Sequence, residues 1–238
     1  MRFPADKSLG RLGLVRTSLI DFPGRVSAVV FTTGCNFRCP FCHNADLALG
    51  KIPATFVSRE ETISHLRTRR DVLDGVVITG GEPLLHEALD DLVAEIRFLG
   101  LAVKIDTNGF FPERLAGIAP DYVAVDIKCA PERYQILAQV PGAADRLAET
   151  IRYVLESGTP HEFRTTVVPG LVDERGIDAI AEMIRGADRF VLNEFSPEST
   201  LDPRLSRVAP YSKAIFVQYK RTIEKTGTSC TIRGPSFV

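Results

Sequence analysis

No uninterrupted apolar run in the 238 residues approaches the ~20 needed to cross a bilayer, so neither a membrane-spanning helix nor a membrane partner is expected. Neither sign of charge dominates. Twenty-nine Lys and Arg face 30 Asp and Glu, a formal net charge of −1, which leaves no broad basic field to hold nucleic acid. The first seven residues, Met1 to Lys7, are too polar to open a secretory signal, and a cytoplasmic location is expected. There is no internal repeat, low-complexity tract or linker rich in Gly, Ser or Pro. The whole of 1–238 is therefore expected to form one domain, with an extension over 1–25, a core over 26–200 and a helix and tail over 201–238. Cysteine is scarce as well. Five residues, an odd number, argue against a disulfide framework and suit a reducing compartment. Three of the five nevertheless fall within eight residues, and that is the first specific signal.

What is present alternates. β-Branched apolar runs at 26–32, 75–79, 102–106, 122–127, 161–168 and 189–195 read as strands covered on both faces. Between them, Leu85, Leu89, Leu92, Val93, Ile96 and Leu99 keep helical spacing, as do Leu147, Ile151, Val154 and Leu155, and then Ile177, Ile180 and Ile184. Ser58 with Glu60 and Glu61 marks a helix start. A last helix is expected from about Tyr211 to Lys225, followed by a short strand at 230–233. Six β–α units imply an α/β fold with a parallel sheet, too few for a closed eight-stranded barrel. No GxGxxG follows the first core strand, which argues against a dinucleotide fold. An open partial (β/α)6 barrel is expected, with Leu12 to Arg16 and Ser18 to Phe22 forming an N-terminal hairpin. Polar and Gly-rich residues cluster at the C-terminal strand ends, where barrel sites are built.

Cys35, Cys39 and Cys42 have the spacing Cys-x3-Cys-x2-Cys, and no fourth cysteine lies nearby in sequence. Three thiolates can hold three corners of an iron–sulfur cube and leave one iron open. The alternatives are a structural zinc held by these cysteines and His43, or three ordinary buried cysteines. Adjacent Cys42 and His43 are poorly placed to converge on one tetrahedron, and a loop with Pro, Arg and Asn is poor core material. With Phe41 before the third cysteine, the motif resembles the signature of the radical S-adenosylmethionine (SAM) superfamily.

Further elements resemble that superfamily in the expected order. Gly80-Gly81-Glu82-Pro83 is similar to its GGEP motif, which implies contacts from Gly80, Gly81 and Glu82 to the SAM amino group. Asp106-Thr107-Asn108-Gly109, Asp126-Ile127-Lys128 and Arg164 with Val167-Val168-Pro169-Gly170 resemble elements of glycyl-radical enzyme activating enzymes. His43 and Asn44 match that family's Cys-His-Asn run. The resemblance implies one [4Fe-4S] cluster on Cys35, Cys39 and Cys42, and SAM contacts from Phe41, His43, Asn44, Asp106, Asn108, Lys128 and Arg164. It also implies catalytic roles for Asp126 and Lys128 and a monovalent cation near Asp106 and Asp126. The implied partners are a glycyl-radical enzyme as protein substrate and an electron donor of flavodoxin or ferredoxin type.

Residues 43–79 hold no cysteine, so a second cluster is not expected. Asn193-Glu194-Phe195-Ser196-Pro197 stands where the activating enzyme of pyruvate formate-lyase carries Pro-Tyr-His. The chain most resembles activating proteins of anaerobic ribonucleoside-triphosphate reductase. Activation of another glycyl-radical enzyme, a small-molecule enzyme of the carboxy-deazaguanine synthase type, and an iron–sulfur electron carrier or redox sensor are the competing expectations.

Overall fold

The structure, a computed structural model, describes residues 9–237, so the polar stretch Met1 to Lys7 lies outside the described residues. Two compact units share the chain. The first takes residues up to 36, 46–107 and 113–123; the second takes 37–45, 108–112 and 124 onward. No helix among the described residues is long and apolar enough to cross a membrane.

The first unit runs through β1 (Arg11–Ser18), β2 (Ser27–Thr32), α1 (Ala45–Ala48), β3 (Val57–Ser58), α2 (Arg59–Arg69), β4 (Gly75–Gly80), α3 (Leu89–Phe98), β5 (Ala102–Thr107) and α4 (Pro112–Ile118). β6 (Tyr122–Asp126) begins in the first unit and ends in the second. There follow α5 (Tyr134–Ala138), α6 (Ala143–Ser157), β7 (His161–Val167), α7 (Glu174–Met183), β8 (Arg189–Glu194), α8 (Lys213–Glu224) and β9 (Ser229–Arg233). The strand order is β3-β1-β2-β4-β5-β6-β7-β8-β9, a linear order that leaves the sheet open, as expected for an α/β fold of this class.

Within the first unit β2, β4 and β5 are parallel, with Ser27 opposite Gly75 and Gly75 opposite Ala102. Within the second, β7, β8 and β9 are parallel, with Phe163, Phe190 and Cys230 in one row. Val76, Ile78, Val103 and Ile105 are buried in the first, and Phe163, Phe190, Val191 and Leu192 in the second. The helices bury the spaced faces that the sequence marks: Leu89, Leu92, Val93 and Ile96 on α3, and Leu147, Ile151 and Val154 on α6. Ser58 caps α2 reciprocally, its Oγ accepting from Glu61 N at 3.1 Å while Glu61 Oε2 accepts from Ser58 N at 2.8 Å.

Two expectations need correction. The N-terminal strand Arg11–Ser18 pairs antiparallel with the core strand β2 and with β3, not with Ser18 to Phe22. Ser18 Oγ instead accepts from the backbone N–H groups of Ile20 and Asp21, which turns the chain and ends the strand. The helix expected from Leu85 begins at Leu89, because Glu82 caps a separate 3₁₀ turn over Pro83–Leu85.

Candidate functional site

In the first unit, the backbone at the start of the cysteine loop is tied to the loop after β4. Gly34 N donates to Leu47 O at 2.7 Å, Glu82 N donates to Gly34 O at 2.9 Å, and Gly81 N donates to Thr32 O at 3.0 Å. The approach is so close that a Cβ on Gly81 would lie 1.9 Å from Gly34 O. Gly80 has φ +111, which L-residues rarely adopt. A glycine pair here is a steric requirement. Gly81→Ala is accordingly expected to cost at least the ~1–3 kcal/mol of ordinary overpacking. For a chain of this size that is a fall of several degrees in Tm, at about 2–4 °C per kcal/mol. An unchanged Tm in thermal unfolding would mean that the two loops do not abut.

Glu82 is fully buried, and its Oε1 accepts from Leu84 N at 3.1 Å and from Thr107 Oγ1 at 2.8 Å. The carboxylate therefore joins the end of β4 to the end of β5. Thr107 had no role of its own in the sequence; its hydroxyl is what the DTNG run contributes here. Asp106 Oδ1 lies 2.6 Å from the ammonium of Lys104, a lysine only 1% exposed that the sequence hides inside an apolar strand run. The Lys104 ammonium also stands 5.8 Å from the centre of the Tyr122 ring. Cys35 is buried at the end of this unit's stretch.

The second unit carries the rest of the cysteine loop. Cys39 is buried and Cys42 half-buried, with Cys42 N donating to Cys39 O at 3.1 Å. Phe37 anchors the loop, packing edge-on against Phe110 at 5.8 Å and Tyr134 at 6.2 Å. Phe41 is buried, His43 exposed and Asn44 half-buried. The segment after β8 holds the loop from outside: Asp202 N donates to Pro40 O at 2.8 Å, and Ser199 Oγ donates to His43 O at 2.8 Å. Asn108 Oδ1 accepts from Phe110 N at 3.0 Å, which shapes the turn after β5.

At the end of β6, Asp126 receives Arg164 Nε at 2.7 Å on one oxygen and Lys128 Nζ at 3.0 Å on the other. Burial alone would raise the Asp126 carboxyl, but Arg164 and Lys128 outweigh it and hold it well below the usual carboxylate range. Burial likewise opposes the charge on Lys128, and Asp126 more than restores it, so its pKa rises. Fully buried Tyr134 fixes the peptide between them: Lys128 N donates to its hydroxyl at 2.8 Å. Nothing in the sequence singled out Tyr134, whose spacing from Asp126 carries no motif.

Burial pushes the Cys39 thiol up to about 12, and the Lys128 ammonium acts against that rise. Cys42 is raised by burial and opposed by Lys128 in the same way. Cys129, remote in sequence, lies close enough to Cys39 to raise it further. Soft thiol donors beside an ammonium that offsets added negative charge fit an iron–sulfur ligand set. No group of three or more His, Cys, Asp or Glu among the described residues is arranged to hold a single metal ion. A cube differs in that it spreads its thiolates over separate iron corners.

Residues 29–183 match the family described as the Radical SAM superfamily. The chain belongs to the radical SAM superfamily. It is 32% identical over 207 residues, 82% of this chain and 84% of the other, to a Methanocaldococcus jannaschii protein that carries the provisional name of glycyl-radical enzyme activating enzyme. It is 30% identical over 207 residues, 81% of this chain and 84% of the other, to the pyruvate formate-lyase-activating enzyme of Clostridium pasteurianum. Among solved structures, a radical SAM methyltransferase from Sphaerobacter thermophilus superposes with a TM-score of 0.67 at 18% identity, covering 94% of this chain and 77% of that one. That last likeness speaks to the fold alone. Membership makes this radical SAM protein an enzyme and implies a [4Fe-4S] cluster and SAM.

Proposed function

We propose that this radical SAM enzyme installs a glycyl radical on a partner enzyme, and that anaerobic ribonucleoside-triphosphate reductase is the first partner to test. What supports this above all is likeness over four-fifths of the chain to glycyl-radical enzyme activating enzymes, joined to a Cys42-His43-Asn44 run of their type. When bound, a reduced [4Fe-4S] cluster supplies one electron that splits SAM into methionine and a 5′-deoxyadenosyl radical, which then takes a hydrogen atom from a glycine of the partner.

The chain's own residues bind and orient. In this proposal Cys35, Cys39 and Cys42 hold three iron corners, and the backbone of Gly80 and Gly81 with Glu82 meets the SAM amino group. Thr107 holds the Glu82 carboxylate in place. Lys128 and Arg164, both anchored on Asp126, face the SAM carboxylate with fixed charge. Phe41 offers an apolar surface to the adenine, and Asn44 and Asn108 shape the loops around it. A monovalent cation beside Asp106 and Asp126 would share those carboxylates with Lys104, Lys128 and Arg164. We also read 1–238 as one radical SAM domain, reduced by a flavodoxin- or ferredoxin-type donor.

The test mixes anaerobically reconstituted protein, SAM and reductant with each candidate glycyl-radical enzyme and reads electron paramagnetic resonance. A glycyl radical on the ribonucleotide reductase alone is the expected result. A radical on another enzyme would keep the activity and move the partner. SAM cleavage without a radical on any candidate, together with turnover of a pterin, would overturn the proposal in favour of a small-molecule enzyme.

A further inference from the structure

One buried carboxylate in the second unit remains unused by the assignments above. Glu162 on β7 is 1% exposed, yet three guanidinium groups surround its carboxylate. Arg233 Nη2 lies 3.2 Å from Oε2, Arg189 Nε lies 3.7 Å from Oε2, and Arg164 Nη1 lies 3.8 Å from Oε1. Parallel pairing sets Arg164 beside Val191 and Asn193 beside Arg233, so residues two apart along β7, β8 and β9 share one face. Charges alternate along a chain of ion pairs that runs on from that face: Arg233, Glu162, Arg164, Asp126, Lys128. Each neighbour is within 3.8 Å of the next. The far end of the row, Lys128, is the ammonium that acts on Cys39 and Cys42.

We infer that Glu162 is a positioning residue for SAM: it fixes the Arg164 guanidinium and, through Asp126, the direction of the Lys128 ammonium. A guanidinium is a planar fork whose two edges can be satisfied separately. Arg164 presents Nε to Asp126 and Nη1 toward Glu162, so both ends of the fork are spoken for and its plane is set. Without a charge on Glu162 the ion pair at Nη1 is lost. Arg233 extends the same hold to β9, near the C-terminal end of the chain. A bare charge at position 162 would be costly without these partners, and packing alone would be met by an uncharged residue of the same size. The inference rests on the proposed SAM-facing roles of Arg164 and Lys128.

The experiment measures SAM binding to reconstituted, unreduced holoprotein by equilibrium dialysis, and the change that SAM causes in the resonance spectrum of the reduced cluster. Glu162→Gln keeps shape and removes charge. Its Kd for SAM is expected to rise about tenfold, a change of about 1.4 kcal/mol, with an altered SAM-induced spectrum and unchanged cluster iron. Glu162→Asp, which keeps the charge, is expected to recover most of the affinity. Wild-type affinity and spectrum in Glu162→Gln, whatever its Tm, would overturn the inference and leave Glu162 as a fold anchor. If Glu162→Gln does not fold, Arg233→Met at the half-exposed end of the row decides by the same criteria, with a rise of a few-fold expected. Failure of the wild-type protein itself to bind SAM would be a different result, striking the proposed function from which this starts.

Discussion

Replacing Cys39 by alanine is expected to remove the iron from this protein, from about four atoms per chain to background, because two thiolates cannot hold a cube that three just hold. Cys35→Ala and Cys42→Ala should do the same. Cys129→Ala and Cys230→Ala are expected to keep full iron and the same visible spectrum. Thiol acidity does not separate the two groups, since burial pushes Cys39, Cys129 and Cys230 alike to about 12. Position separates them. Cys39 lies on an anchored loop beside Lys128, whereas Cys230 lies within β9 and Cys129 just beyond β6, both buried. Iron analysis of the five variants, reconstituted side by side, checks this. Cys129 is the informative control because it is near Cys39: loss of the cluster in Cys129→Ala would make it a fourth ligand and close the iron corner that SAM needs.

The second large effect is expected at Asp126. Asp126→Ala would leave Arg164 and Lys128, 13% and 18% exposed, without the carboxylate between them. Breaking a buried pair costs about 3–5 kcal/mol. Because Asp126 keeps 28% of its side-chain surface and Arg164 keeps Glu162, the lower figure of about 3 kcal/mol applies. That corresponds to a fall in Tm of about 6–12 °C, with SAM binding weakened in the folded fraction. The dependence on pH has a definite sign. The Asp126 carboxyl is held below its ordinary range, so its contribution is complete above the unfolded value of about 3.9 and drains away as pH falls below it. Lys128 is raised, so its contribution is complete below about 10.4 and is lost only as pH climbs through its folded value. The gap in Tm between wild type and Asp126→Asn should therefore be widest from about pH 5 to 9 and should narrow toward pH 3. A gap that stays constant down to pH 3 would mean that folding does not lower the Asp126 carboxyl.

Much of this was legible in the sequence because it is local. Apolar runs of 5–8 residues named the core strands, Ser58 with Glu60 and Glu61 named the start of α2, and the cysteine spacing named the loop. What stayed hidden depends on partners distant in the chain. Lys104 sits in an apolar run and draws no attention until Asp106 and Tyr122 are beside it. Tyr134 is an ordinary aromatic until its hydroxyl meets the backbone of Lys128. Asp202 supports the cysteine loop through its backbone N–H, which leaves no residue-type signature, and Ser199 through a hydroxyl whose acceptor, His43 O, is distant in the chain. The sequence marks Glu82 as an acceptor for a ligand. Its bonds to Leu84 and Thr107 show a bracing role that a GGEP tetrapeptide cannot reveal alone.

The most direct measurement follows the hydrogen atom. A partner glycyl-radical enzyme carrying deuterated glycine is incubated anaerobically with the reconstituted protein, SAM and reductant, and the 5′-deoxyadenosine formed is weighed by mass spectrometry. The expected result is one deuterium in the 5′-deoxyadenosine and an amount equal to the glycyl radical produced. Unlabelled 5′-deoxyadenosine from every partner tried, formed at the rate seen with no partner present, would contradict glycine as the source of the hydrogen atom.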